Sequence, residues 1–501
     1  MEQELWQNIL YGFQVSFQPG NILYCLIGVF LGTLVGVLPG LGPGAAISIL
    51  LPATLKITPV GAVIMLAGIY YGAMYGGSIT SILVNIPGEA ASVVTCLDGY
   101  QMARKGRAGA ALGISALGSF IGGTLSVICL MLLAPPLASI ALRFGPPEYA
   151  SLIILAFVML AYFASGSIIK ALIMGTLGII IGCIGMDTIT GTIRFAYGIQ
   201  ILYDGVGIIP VIMGLFGISE VLLNIESDIR GRDLLFTKLK GLFPNREEWK
   251  RSIGPILRGS VIGFLLGILP GGGAIISSFA SYTVEKRLSK HPEQFGTGMI
   301  EGVAGPETAN NAACNGALVP LLTLGIPCNA VIAIISGALI IHGVQPGPML
   351  IKEAPDIFWG VIASMYLGNL LLLILNVPLI GLWVKILKVP YLILFPLILL
   401  FCLIGSYTIN NSISDVFIMI IFGVIGFFLK KYEYEGAPLI LALVLGPIFE
   451  TALRRSLLIS SGSFSIFVTR PISATLLAVA ALLLLVGAFS KRTFIKQGQE
   501  E

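Results

Sequence analysis

A chain of 501 residues carries only 29 Lys/Arg and 25 Asp/Glu, so charged side chains make up 11% of it, less than half the roughly 25% of a soluble globular protein. Hydrophobic residues reach 56% and the mean hydropathy is +0.96, which excludes a water-soluble domain of this size and, because disorder needs low hydrophobicity, a disordered Gly/Pro-rich chain. What remains is an all-α polytopic membrane protein with an unusual supply of helix breakers, 62 Gly and 27 Pro.

The N-terminus, MEQELWQN, is acidic and has no basic leader, so it does not read as a cleaved signal peptide. A spanning helix needs about 20 mostly apolar residues. The first apolar segment, 21–54, is broken at Leu38-Pro39-Gly40-Leu41-Gly42-Pro43-Gly44. Further apolar stretches occupy 60–87, 108–142, 148–164, 167–186 and 203–224. The longest polar stretch follows at 225–252, with seven basic residues against five acidic ones. Lys and Arg in short loops mark the cytoplasmic side, which places this loop there. A second broken segment, 253–284, is interrupted at Leu269-Pro270-Gly271-Gly272-Gly273, and apolar stretches continue at 312–345, 357–387, 391–409, 414–430 and 472–490. The tail, with Lys491, Arg492 and Lys496, reads as cytoplasmic. These segments predict 10 to 14 membrane elements. The expected organisation is a first membrane repeat with flanking helices over 15–224, a cytoplasmic linker over 225–252, a second membrane repeat over 253–390, C-terminal membrane helices over 391–490 and a cytoplasmic tail over 491–501.

The linker divides the chain into halves that open on the same signal. Gly36-Val37-Leu38-Pro39-Gly40-Leu41-Gly42 matches Gly267-Ile268-Leu269-Pro270-Gly271-Gly272-Gly273 at an offset of 231. Downstream, Ile86-Pro87 matches Ile326-Pro327 at an offset of 240, while Gly77 finds Gly316 only at 239. Two interrupted apolar segments in corresponding positions of two halves point to the binding site of a secondary transporter. Pro removes a backbone donor and Gly permits positive φ, so a helix can stop and restart there. The restarted helix offers free N–H groups to an anion, and the carbonyls freed at the preceding end suit Na⁺. The alternative is a kinked or closely packed helix.

Uncharged polar residues gather beside the breaks: Ser78, Thr80, Ser81 and Asn85 in the first half, Thr308, Asn310, Asn311, Asn315, Thr323 and Asn329 in the second. Their oxygens can ligate a hard cation, and their amides and hydroxyls can donate to a carboxylate. Isolated ionisable groups, among them Glu89, Asp98, Asp187, Arg194, Glu307 and Glu450, lie near apolar segments, where charge is costly and functional by default. Glu307 stands three residues from Asn310. The seven cysteines are scattered singly, without a CxxC pair, and read as packing residues. No basic patch interleaved with aromatics supports nucleic-acid binding. No catalytic or phosphate-binding motif supports an enzyme or an ATP-driven pump. An ion or anion channel is the alternative to a transporter and would lack coupled accumulation.

Several blocks in these regions resemble one family. They are GVLPGLGPG at 36–44, YGGSITSILVNIPGEAASVVTCLDGYQMARKGRAG at 75–109, GMDTITGTIRFAYG at 185–198, PETANNAACNGALVPLLTLGIPCNAVIAIISGALIIHGVQPGP at 306–348, YLGNLLLLILNVPLIGLWVKILKVPY at 366–391 and RPIS at 470–473. In order and length they are similar to the large membrane subunit of the tripartite tricarboxylate transporters, the TctA family, from about residue 15 to 490. Cys328-Asn329 and Ala196 depart from the family's more usual Gly-Ser and Thr. The resemblance implies a multi-pass permease of the bacterial inner membrane that works with a periplasmic solute-binding protein and a small membrane subunit. It implies import of a tricarboxylate or related carboxylate by Na⁺ or H⁺ symport without ATP, two repeats of opposite orientation and an elevator-like movement.

The candidate substrate- and ion-binding residues are Pro39, Gly40, Gly42, Ser78, Thr80, Ser81, Asn85, Pro270, Gly271, Gly272, Glu307, Asn310, Asn311, Thr323 and Pro327. A Na⁺ site is expected at Ser81, Asn85, Asn310 and Thr323. Neither a catalytic residue nor a cofactor is expected beyond the coupling cation, Na⁺ or H⁺.

Overall fold

The computed structural model describes residues 2–38, 42–163, 167–187, 189–226, 243–271, 273–386 and 391–497. Pro39, Gly40, Gly272, the linker from 227 to 242 and the end of the tail lie outside the described residues. The first half runs α1 (Glu2–Ser16), α2 (Pro19–Val37), α3 (Pro43–Leu50), α4 (Pro59–Val84), α5 (Val93–Arg104) and α6 (Ala108–Ala141). It continues with α7 (Pro146–Phe163), α8 (Ile168–Gly182), an antiparallel hairpin of β1 (Gly185–Met186) and β2 (Ile193–Arg194), α9 (Ile208–Ile212), a π-helical turn and α10 (Ser219–Glu226). The second half runs α11 (Arg246–Ile268), α12 (Gly273–Leu288), α13 (Glu301–Gly316), α14 (Leu318–Leu324), α15 (Ala330–Ile341), α16 (Leu350–Glu353) and α17 (Pro355–Asn376). The remaining helices are α18 (Ile380–Ile386), α19 (Tyr391–Asn410), α20 (Ile413–Lys431), α21 (Gly436–Ile459), α22 (Ile466–Thr469) and α23 (Pro471–Gln497).

Among the described residues, seven helices, α2, α4, α6, α11, α17, α20 and α21, are long and apolar enough to cross a membrane, and seven shorter apolar helices accompany them. The chain is an all-α polytopic membrane protein, and full and partial spans together meet the expected 10 to 14 elements.

Bare glycines bring the two halves into the same local geometry. In α2, a Cβ on Gly28, Gly32 or Gly36 would lie 2.3, 2.5 or 2.1 Å from the carbonyl oxygens of Met65, Ile69 and Ala73 in α4. In α11, a Cβ on Gly259, Gly263 or Gly267 would lie 2.5, 2.3 or 2.4 Å from the carbonyls of Gly305, Ala309 and Ala313 in α13. The glycines correspond at the offset of 231 and their partners at 240. Small residues of this kind let membrane helices touch backbone to backbone. Both glycine-bearing helices then end alike, at Leu38 (φ −90°, ψ 103°) and Leu269 (φ −78°, ψ 131°), each donating its N–H three residues back.

The 240 register also corrects the sequence match of Gly77 with Gly316. Gly88 packs on Gly36 and Gly77, whereas Cys328 directs its Sγ to the carbonyls of Gly267 and Ala317, at 3.5 and 3.3 Å. Ala317 is therefore the counterpart of Gly77. The second half parts into α13 and α14 at this point because Pro320 has no N–H for the carbonyl of Gly316. α4, with Thr80 in the matching place, runs on unbroken.

The two repeats have opposite orientation. α6 and α17 follow the corresponding hairpins yet run antiparallel: Gly123 meets Asn369 midway, and Leu112 near the start of α6 shares a cavity with Asn376 at the end of α17. α4 starts beside Gly360 near the start of α17, next to Val60. α13 starts beside α11, where Arg251 pairs with Glu301 at 2.6 Å, and α11 starts beside α6, where Arg107 pairs with Glu248.

The β-hairpin is tied to α21 by ion pairs. Arg194 of β2 donates to both oxygens of Glu450, at 2.6 and 3.1 Å, and Arg454 donates to Asp187 at 2.7 Å. The sequence neighbours Asp187 and Arg194 lie 3.9 Å apart, so each takes its shortest ion pair from α21. The Arg454 guanidinium, helped by the N–H of Ile189, holds the Asp187 carboxyl well below the usual carboxylate range.

Two predictions follow from this packing. Gly263→Ala drives a methyl into the Ala309 carbonyl and should destabilise the protein by about 1–3 kcal/mol. The control is Gly175→Ala, whose Cβ meets nothing within 4 Å; thermal unfolding in detergent should distinguish the two. For Asp187, a depressed folded pKa contributes stability that is present above the unfolded value and lost only as pH falls through the folded one. Protease cleavage of the hairpin should therefore stay constant from about pH 7 to about pH 5, and should rise in Asp187→Asn at both.

Candidate functional site

Each repeat folds a hairpin whose tip reverses in the same way. α4 ends at Asn85 (φ 58°, ψ 29°) and α14 at Gly325 (φ 73°, ψ 17°), both left-handed. Four residues on, Glu89 (φ −148°, ψ 165°) and Asn329 (φ −147°, ψ 170°) cap the next helical turn. Glu89 Oε2 accepts from the N–H of Ala91 at 2.6 Å, and Asn329 Oδ1 accepts from that of Ile332 at 2.9 Å. Each cap also reaches the long helix of the other repeat. Asn310 Nδ2 donates to Glu89 Oε1 at 3.1 Å, and Asn329 Nδ2 donates to the Tyr70 hydroxyl at 3.2 Å. Asn310 and Tyr70 correspond at 240, so the two contacts are pseudo-symmetric.

The symmetry holds in backbone but not in chemistry. Asn310, Asn311 and Asn315 of α13 correspond to Tyr70, Tyr71 and Tyr75 of α4. On the asparagine side a buried polar cluster forms around Glu307. Its carboxylate accepts from Ser78 of α4, from Thr95 of α5 and, at 3.0 Å, from Ser115 of α6. Asn311 Nδ2 donates to Ser119 at 2.7 Å, and Ser119 in turn donates to the Glu307 carbonyl at 3.3 Å. Asn315 donates to the carbonyl of Gly123 at 3.0 Å and Ser126 to that of Ala312 at 2.7 Å. Glu307 is 1% and Glu89 9% exposed, and among the described residues neither has a Lys, Arg or His as ion-pair partner. Hydroxyls and amides alone face the two carboxyls, which is costly for two full charges and suits a site that takes up a cation or a proton.

The sequence-predicted residues fall into three groups. Ser78, Glu307 and Asn311 are joined in the cluster, and Asn310 on the same helix donates to Glu89. Thr80, Gly271 and Pro327 serve the breaks. Thr80 donates to the Val37 carbonyl at 3.1 Å, just before the first interruption. Gly271, with φ 87°, donates its N–H to the Cys328 carbonyl at 2.8 Å, tying the half-buried Pro270-Gly271 turn to the second tip beside buried Pro327. Gly42 caps α3 in an extended conformation. Ser81 and Thr323 donate to carbonyls of their own helices, Gly77 and Val319, and Asn85 is exposed. No hydrogen bond among the described residues joins Ser81, Asn85, Asn310 and Thr323 to one another.

Sequence reasoning alone does not single out Thr95, Ser115 or Ser119. The signal that finds the last two is the stripe Ser115, Ser119, Gly122 and Ser126, spaced three or four apart on one face of α6. Asp98 has a different role. It accepts from the N–H groups of Gly296, Gly298 and Met299 at 3.0, 2.7 and 2.7 Å and from the Tyr282 hydroxyl at 3.0 Å. This cradle docks α5 on the loop that precedes α13.

The comparisons with known proteins agree with this architecture. Residues 22–441 match the family described as "Tripartite tricarboxylate transporter TctA family". An Agrobacterium vitis protein described as "Uncharacterized 52.8 kDa protein in TAR-I ttuC' 3'region" is 51% identical over 476 residues, 95% of each chain. A second from the same organism, "Uncharacterized protein in TAR-II ttuC' 3'region", is 57% identical over 217 residues, 43% of this chain and 90% of the relative. No solved structure matches. A multi-pass helical protein with two inverted, interrupted repeats that carries this match along most of its length belongs to the tripartite tricarboxylate transporter TctA family.

Proposed function

We propose that this chain is the large permease subunit that moves a tricarboxylate or related carboxylate inward across the bacterial inner membrane by Na⁺ or H⁺ symport. In this reading a periplasmic solute-binding protein delivers the substrate and a small membrane subunit completes the assembly. The observation that carries the reading is the pair of buried carboxyls, Glu307 of α13 and Glu89, the second accepting from Asn310, three residues along the same helix from Glu307. An anionic substrate approaching two unneutralised carboxylates is repelled, and at short range in a medium of low polarity that repulsion is large. Cations or protons bound at Glu307 and Glu89 remove it. The N-termini of the helical turns capped by Glu89 and Asn329 then present N–H dipoles to the substrate's carboxylates. The cation must therefore load before or with the anion, and a polyvalent anion calls for more than one cation per turnover. Ser78, Asn310 and Asn311 supply donors and oxygens at this centre, with Ser81, Asn85 and Thr323 on the same hairpins.

Uptake of a labelled tricarboxylate into proteoliposomes holding the permease, its small subunit and the binding protein tests the reading. Collapsing both the Na⁺ and the proton gradient should abolish accumulation, and Glu307→Gln should lower gradient-driven accumulation by at least about tenfold. Accumulation that survives loss of both gradients, or conduction without saturable accumulation, would overturn it.

A further inference from the structure

Next to the Glu307 cluster, four helices leave a small cavity. Tyr75 of α4, Ser115 of α6 and Asn376, the last residue of α17, line it together with Ile380 of α18. It has room for about one water. The Tyr75 hydroxyl and Asn376 Oδ1 are both buried without a hydrogen-bond partner, although Tyr75 and Asn376 are each only 3% exposed. Such a group is normally satisfied by protein or by an ordered water. Asn376 Nδ2 donates to the Leu372 carbonyl at 2.8 Å, whereas its Oδ1 has no donor. The Ser115 hydroxyl donates to Glu307 Oε2 at 3.0 Å and keeps lone pairs for another donor. A water in this cavity can accept from Tyr75, donate to Asn376 Oδ1 and donate to Ser115 Oγ, the three bonds typical of a buried water. Three neutral oxygens are too few for a bare metal cation, which seeks about six.

We propose that this cavity is the proton port of Glu307. A proton arriving on the water passes to Ser115 Oγ as the proton of Ser115 passes to Glu307 Oε2. One O–H bond breaks at the protonated water, one breaks and one forms at Ser115 Oγ, and one forms at Glu307 Oε2, so the water and Ser115 end neutral and Glu307 ends as the neutral acid. The reverse sequence returns the proton to the water. The coupling ion is then H⁺ rather than Na⁺, and the inference rests on the cation-coupled reading above.

The other titratable groups near this stretch of α13 do not replace the port. Glu89 is reached through Asn310, and Cys96 of α5 is the chain neighbour of Thr95, which itself donates to Glu307. Tyr75 of α4 lines the cavity itself. Arg258 of α11 is held by Glu285 of α12 at 2.8 Å beside Gly305, and Asp98 is held beside Gly302 by Tyr282 and the loop N–H groups. α6 and α17 bring neutral serine, glycine and asparagine.

The test uses the reconstituted complex with Tyr75→Phe, which removes only the hydroxyl, and Asn376→Leu. The readout is the ratio of uptake driven by a pH gradient to substrate counterflow, which needs no net proton movement. The ratio should fall at least about tenfold in each variant, as when a positioned proton-transfer group is lost, and uptake should be slower in D₂O than in H₂O for the unmodified protein. A ratio unchanged in Tyr75→Phe, recovered as monodisperse protein, overturns the port even if Asn376→Leu fails to fold. Uptake driven by a Na⁺ gradient at zero pH gradient also overturns the port while leaving cation coupling intact. Uptake that needs neither gradient overturns both.

Discussion

Backbone laid against backbone across bare glycines is the constraint on which this molecule rests. Hydrocarbon offers helices little reason to associate, so contact must come from shape, and a carbonyl 2.1–2.5 Å from where a methyl would stand leaves no choice of register. That register aligns α2 with α4 and α11 with α13. It puts the breaks after Leu38 and Leu269 beside the tips at Gly88 and Cys328, and it brings Glu89 and Asn329 within reach of the opposite repeat. Polar backbone at membrane depth survives only where protein surrounds it. Here Gly271 sits against Leu160 of α7 and donates to the Cys328 carbonyl, and Gly44 of α3 faces Ile334 of α15 in the other repeat.

Within this shared frame the two halves have diverged in kind. Tyr70, Tyr71 and Tyr75 fill with aromatic volume the positions that Asn310, Asn311 and Asn315 fill with amides. The asparagine side has room for the serines of α6 and a carboxyl beneath them. On the tyrosine side, a Cβ on Gly368 of α17 would lie 2.4 Å from the Tyr71 hydroxyl, so α17 can approach only where it has no side chain. Membership of the TctA family, and with it of a tripartite transporter, implies partner subunits for this permease.

Much of this was legible in the residues. The paired Leu-Pro-Gly interruptions and the Ile-Pro tips fall where helices end or turn, because Pro and Gly act locally and need no tertiary context, whereas most of the polar residues beside them lie inside α4 and α13. The cluster around Glu307 was legible in part: Ser78, Asn310 and Asn311 were visible as polar residues in apolar surroundings. Thr95, Ser115 and Ser119 were not, since an isolated hydroxyl on a membrane helix ordinarily bonds its own preceding turn, as Ser81 and Thr323 do. Nor does the pattern of letters distinguish Asp98, satisfied by backbone N–H groups, from Glu307, satisfied by hydroxyls. Which donors a carboxyl meets depends on folds of the chain some 200 residues apart.

The mismatch of asparagine and tyrosine has a thermodynamic consequence. In a perfectly duplicated frame, exchanging the conformations of the two halves would regenerate the same molecule facing the other way, at equal free energy. Here the exchange would set Glu89–Asn310 and Asn329–Tyr70 in each other's surroundings, a carboxyl-amide contact against an amide-phenol one. Two such orientations would differ in free energy. One is the ground state even with nothing bound, and the gap between them is written into three side chains on each of two helices.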